Sequence, residues 1–365
     1  MISRVADSCF WFGRYVERTE STARLLQVTA NLALDGDLTP LQCWHPVVIT
    51  AGEEEAFVLQ HGEAALADGE RVQTHLALDP EVFVSIERSL GAARENARSI
   101  REVISLEAWE SINELYLWMH GESARTAWNE NRYEFYRRIR TETQLCLGLL
   151  RGTMLHDTPL YFIWLGVLLE RTGQTARILD VHHHAFTSGR QQPSGGDVDG
   201  HRAIEVAHWL SLLRACYGFE PFMKSHRGLV TGEAVASFLV FEARFPRAVR
   251  YCVKRARESL IDARPASPGM RPLRALRTLD RLEADLAVAA RAPLDAAGLH
   301  LLLTNVVDTT HELSNDLSVE LFGGALAPFS PSPSQPPGQS QTQSQSQSQT
   351  PSQSQTQPRD GERAE

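Results

Sequence analysis

The chain has 365 residues, 42% hydrophobic and 22% charged, proportions of a globular protein long enough to bury a sizeable core. Its formal net charge of −9 excludes a general nucleic-acid surface, because phosphate affinity needs excess Lys and Arg. The longest uncharged apolar run, residues 158–169, falls short of the ~20 residues that cross a bilayer.

Five cysteines (Cys9, Cys43, Cys146, Cys216 and Cys252) are widely spaced and form no Cys-x-x-Cys pair. That spacing argues against a disulfide framework or a structural zinc site, and the start of the chain lacks a signal-peptide pattern. The expected compartment is the cytoplasm. Of the 36 cationic side chains only Lys224 and Lys254 are lysines. A GC-rich genome explains this without function; the functional reading is bidentate pairing with carboxylate or phosphate.

Residues 11–28, WFGRYVERTESTARLLQV, open the first strongly patterned segment. Asp79-Pro80 and Thr158-Pro159 read as helix N-cap and N1 pairs. Between them Ile86, Leu90, Ala93, Ala97, Ile100 and Ile104 advance by three or four, the spacing of one buried helical face. Arg94, Glu95, Arg98 and Arg101 alternate charge as a solvated face does, and Trp109, Tyr116 and Trp118 read as core. Residues 188–200 read as a flexible linker and 264–272 as a tight loop. From residue 325 the composition collapses into Ser, Gln, Thr and Pro, which bury too little to offset ordering entropy, so a disordered tail is expected over 324–365. No alternating β-branched runs occur. The expected fold is all-α, a multi-helix bundle.

Residues 164–181, WLGVLLERTGQTARILDV, match residues 11–28 at ten of eighteen positions. Trp44 and Trp209 follow the two segments, residues 72–90 align with 235–253, and Arg94-Glu95 falls opposite Arg257-Glu258. The folded region therefore reads as two tandem, diverged copies of one unit, 1–157 and 158–323, packed about a pseudo-twofold.

On a helix, residues 164–181 place apolar side chains around almost the whole circumference, so this helix is expected to be buried. Yet Glu170, Arg171 and Arg177 persist there, as Glu17, Arg18 and Arg24 do in the first segment. Glu and Arg seven apart share one stripe, and buried charges must be paired. Two readings stand: a buried Glu–Arg network that fixes docking, or a polar cavity whose arginine forks hold a carboxylate or phosphate, with a Glu as base or amine anchor. The candidate cluster is Arg14, Glu17, Arg18, Arg24, Arg94, Glu95, Glu170, Arg171 and Arg177. Glu205-x-x-His208 has the spacing of a di-metal bundle but occurs once, and His182-His183-His184 reads as a helix-end histidine run rather than a metal cluster. No Walker loop, Rossmann fingerprint, GxSxG or HExxH is present. No metal or cofactor is predicted, and catalysis is left undecided.

These residues resemble the bacterial alpha-E domain family. The resemblance rests on Ser3-Arg4-Val5-Ala6, the helix from Gly13 to Arg24, Ala92 to Arg98, Trp109 with Asn113, Leu165 to Arg171, Arg177 to Val181, and Gly298-Leu299-His300. It extends to about residue 323. Thr19-Glu20 and Thr172-Gly173 depart from the family's Ala-Asp or Ala-Glu after the Glu-Arg pair. The resemblance implies partnership with a circularly permuted ATP-grasp protein, and with a transglutaminase-like protein, in peptide or amide-bond formation or peptide modification. It implies an accessory or downstream component; a non-catalytic helical scaffold and a metal-dependent helical enzyme are the alternatives.

Overall fold

The computed structural model describes residues 3–35, 38–188, 198–264, 272–291 and 295–324. Side chains of 184–188 and 198–203 fall outside that description. So do the tail from 325, the heart of the expected linker at 188–200 and that of the expected loop at 264–272. The described chain is helical without a strand. Its first run of elements is α1 (Ser3–Asp35), α2 (Pro40–Ala51), α3 (Glu54–His61), a 3₁₀ turn (Glu63–Ala67), α4 (Gly69–Leu78), α5 (Ile86–Ser99), α6 (Leu106–Met119), α7 (Glu122–Glu130) and α8 (Arg132–Thr153). The second is α9 (Thr158–Ser188), α10 (Val198–Ala215), α11 (Phe219–Ser225), α12 (Gly232–Phe241), α13 (Val249–Ala263), α14 (Arg274–Ala289) and α15 (Ala296–Leu321).

Side-chain oxygens start many of these helices by accepting orphan backbone N–H groups. Thr39 and Gln42 form a capping box before Pro40, and Asp68, Ser85, Ser105, Thr231 and Asp295 cap α4, α5, α6, α12 and α15. Asp79-Pro80 does not start a helix, contrary to expectation. Asp79 ends α4, its carboxylate accepts from the Glu81 N–H, and its carbonyl accepts from the Ser85 hydroxyl, leaving Ser85 to cap α5. All six residues of the apolar face beginning at Ile86 are buried, but α5 stops at Ser99 and Ile100 and Ile104 pack from the turn beyond it.

The long helices α1 and α9 form the centre and pack directly on each other. Helices α5 and α8 pack on α1 and are joined by α6; α13 and α15 pack on α9 and are joined by α14. Close approach at the crossing depends on two glycines. A Cβ on Gly13 would lie 2.0 Å from the carbonyl oxygen of Ile163, and one on Gly166 2.0 Å from that of Phe10. A second pair of close approaches has the same form: a Cβ on Gly69 would strike the Trp44 ring at 2.3 Å, and one on Gly232 the Trp209 ring at 2.6 Å. No helix among the described residues is long and apolar enough to cross a membrane.

Candidate functional site

Helix α1 is buried on every side from Cys9 to Ser21, and α9 is buried from Leu165 to Thr172. Glu17 and Arg18 on α1 and Glu170 and Arg171 on α9 are all buried and pair across the crossing. Arg18 donates from Nε to Glu170 Oε1 at 2.8 Å and from Nη2 to Oε2 at 2.9 Å. Arg171 returns the same fork to Glu17, Nε to Oε1 at 3.1 Å and Nη2 to Oε2 at 2.8 Å. Such bidentate, charge-assisted pairs fix position as well as charge. Arg14 adds a third donor to Glu170 at 2.8 Å and Gln174 a fourth at 3.2 Å, while Arg247 adds a further donor to Glu17 at 2.5 Å.

Both glutamates are 0% exposed. Burial alone would raise their pKa values, but the arginines outweigh it. Arg171 and Arg247 hold Glu17 at about 2, and Arg18 and Arg14 hold Glu170 well below the carboxylate range. A carboxylate this acidic is a poor proton acceptor near neutral pH. In this arrangement both glutamates hold buried guanidinium groups in place.

Arg24, on the same stripe as Glu17, finds its partners elsewhere. Arg24 binds Glu20 one turn away, and donates to the carbonyl of Ala215 at 2.5 Å. Arg247 also reaches Glu20, at 3.1 Å. Tyr217 lies among three guanidinium groups, those of Arg24, Arg247 and Arg140, at 4.4, 4.9 and 5.1 Å from its ring centroid, and accepts from Arg140 through its hydroxyl. These are cation–π distances. Among the described residues Tyr217 is the one non-glycine with positive φ, +55°, a conformation costly for a bulky side chain. Glu20, Arg140, Tyr217 and Arg247 escaped the sequence reading. The only available signal was Glu20, an acid present in one matched segment and replaced by Gly173 in the other.

Arg94 and Glu95 do not join this cluster. Arg94 donates to Asn113 at 2.8 Å, and half-exposed Glu95 pairs with Arg94 and Arg98 on the outer face of α5. Solvent satisfies that face, so nothing draws it inward. His208 is buried beside His182, ring centroids 5.3 Å apart, and Glu205 accepts from the Trp209 indole. No group of three or more metal-capable side chains forms among the described residues. All five cysteines are buried and free, and burial pushes the thiols of Cys9, Cys146 and Cys252 up to about 12, far from a reactive thiolate.

Of the arginines in this cluster, Arg171 borders the larger open space. A cavity of about 360 Å³ lies between α8, the first half of α9 and α13, within the size range of small-molecule sites. Arg171 lines it with Tyr161, Trp164 and Tyr251, together with Arg151 and Arg255. Arg151 stacks over Trp164 at 5.3 Å. Arg171 uses three of its five N–H donors on Glu17 and on the Pro246 carbonyl. Glu258, which is paired with Arg255, and Asp262 line the same space, so the cavity carries charge of both signs.

An all-helical domain with two Glu-Arg pairs locked across its central crossing is the class that fold and site define. The chain belongs to the Alpha-E family, described as a predicted alpha-helical domain with a conserved ER motif, which matches residues 1–322. It is also similar to uncharacterised proteins of Mycobacterium bovis and of two strains of Mycobacterium tuberculosis, each 24% identical over 341 residues. Those matches cover 84% of this chain and 36% of each relative, so the chain spans about a third of their length. No solved structure matches it.

Proposed function

We propose that the domain binds a carboxylate- or amino-acyl-bearing group in the cavity over Arg171. It does so as an accessory or downstream component of a cytoplasmic, ATP-grasp-linked system that forms or modifies peptide or amide bonds. The observation that carries the binding step is the placement of Arg171: its guanidinium is held rigid by buried Glu17 and borders an aromatic-walled cavity. A pre-oriented fork binds carboxylate without first losing side-chain freedom. Asp262 suits an amine on the same ligand. The ligation setting, with a circularly permuted ATP-grasp protein and a transglutaminase-like protein as partners, comes from the family resemblance.

The same reading takes the domain as two diverged copies, 1–157 and 158–323. Supporting it are the reciprocal Gly13 and Gly166 approaches and the reciprocal Arg18–Glu170 and Arg171–Glu17 forks. A second reading, a non-catalytic scaffold, is favoured by the complete pairing of Glu17 and Glu170. The test is purification with the ATP-grasp partner and mass spectrometry of products with and without this chain. A product or mass change that depends on this chain supports the leading reading; identical products in both reactions contradict it and favour the scaffold.

A further inference from the structure

Carboxylates are unequally distributed between the two crossing helices. On α1, Arg24 follows Glu20 by four residues and the two bond directly. On α9, Arg177 follows Gly173 at the same spacing. A Cβ on Gly173 would lie 3.6 and 3.8 Å from Arg177 Nη1 and Nη2, so the position faces the guanidinium but supplies no acid.

Three buried guanidinium groups therefore surround one carboxylate: Arg14, Arg18 and Arg177, at 5, 2 and 8% exposed, with Glu170 at 0%. Arg14 and Arg18 take the Glu170 oxygens. Arg18 Nη1 and Arg177 Nε have no hydrogen-bond partner. Both arginines line one small cavity of about 20 Å³ walled by Leu26, Val47 and Leu76, room for a single water or a small ion. A guanidinium does not discharge by losing its proton at neutral pH, and an unneutralised buried charge is strongly unfavourable. A water would satisfy an N–H group but not the charge.

We infer that this cavity binds a small monovalent anion, of chloride size, between Arg18 and Arg177, doing for α9 what Glu20 does for α1. The site is separate from the cavity over Arg171 and does not depend on the function proposed for it. Burial and the positive Arg177 nearby push His311 down to about 4, so this neighbour adds no positive charge near neutral pH.

The test is thermal unfolding of the full chain at constant ionic strength, with bulky gluconate replaced stepwise by chloride. The expected result is a melting temperature that rises and saturates with chloride. Gly173→Glu, whose Cβ meets only ordinary contacts, supplies the carboxylate within the chain and should unfold at a higher temperature in gluconate with a flat chloride response. Bromide-grown crystals of the natural chain should give an anomalous peak between Arg18 and Arg177, a readout independent of whether the variant folds. No chloride response in the natural chain, an unchanged response in Gly173→Glu, or no bromide at the site each overturns the inference.

Discussion

Gly13 and Gly166 meet at the crossing of α1 and α9, each facing a backbone carbonyl of the other helix where a methyl group would sit at 2.0 Å. Backbone cannot give way as a flexible side chain does, so the helices must separate to admit a Cβ. Gly13→Ala is expected to destabilise the domain by about 3 kcal/mol, the upper end of ordinary overpacking costs. Gly166→Ala should cost a similar amount. Because either one parts the helices, the double variant should cost less than the sum of the two. Urea denaturation of the three variants checks this; strict additivity would mean that the two contacts are independent.

Glu170→Gln keeps the shape of the side chain and removes the charge that holds Arg14 and Arg18. Stranding buried guanidinium groups is expected to cost roughly 3–5 kcal/mol. Glu17→Gln should cost a comparable amount by freeing Arg171 and Arg247. Chemical denaturation reads both, and a loss under about 1 kcal/mol would show that the forks add little beyond packing.

Three histidines shape the acid response, His182 and His208 together with His311, which also lies at about 4. Burial, helped for His182 by its neighbour, pushes His182 down to about 3 and His208 to about 4, whereas the unfolded chain takes up these protons near pH 6.5. Their contribution to stability is present above that pH and falls as pH drops toward 4, because the unfolded state binds protons that the fold refuses. The slope is up to about 1.4 kcal/mol per pH unit for each. Glu17, at about 2 in the fold and 4.5 unfolded, adds a second loss as pH falls from 4.5 through 2. Replacing His182 and His208 with Gln should reduce the loss between pH 6.5 and 4.5 in denaturation midpoints, leaving the share of His311. An unchanged slope would place that proton uptake elsewhere.

Much of the architecture is legible in the residues. Helical spacing from Ile86 and the absence of strand patterning suffice for an all-α fold, and charges on a helix apolar all round announce that partners must exist. The identity of those partners is not legible. Spacing along one helix puts Glu17 and Arg24 on one stripe but names no partner; each fork runs to the other helix, because crossing at Gly13 and Gly166 brings Arg18 beside Glu170 and Arg171 beside Glu17. Arg247 and Tyr217 join from loops whose positions only the packed chain defines. Helices α8, α9 and α13 build the cavity over Arg171 from segments scattered over more than a hundred residues, which no local pattern connects.

The central claim is that the cavity over Arg171 is where the domain acts, and Gly148 offers the most direct test of it. Gly148 lines that cavity from α8, and a Cβ there meets nothing within 4 Å. Gly148→Phe should fill the space while leaving the Glu–Arg forks intact, and replacing a helical glycine avoids a penalty of about 1 kcal/mol relative to alanine, so stability should hold or rise. Product formation with the proposed ATP-grasp partner, measured by mass spectrometry beside the melting temperature, is predicted to disappear from a fully folded Gly148→Phe protein. Undiminished product from that folded variant would contradict the account.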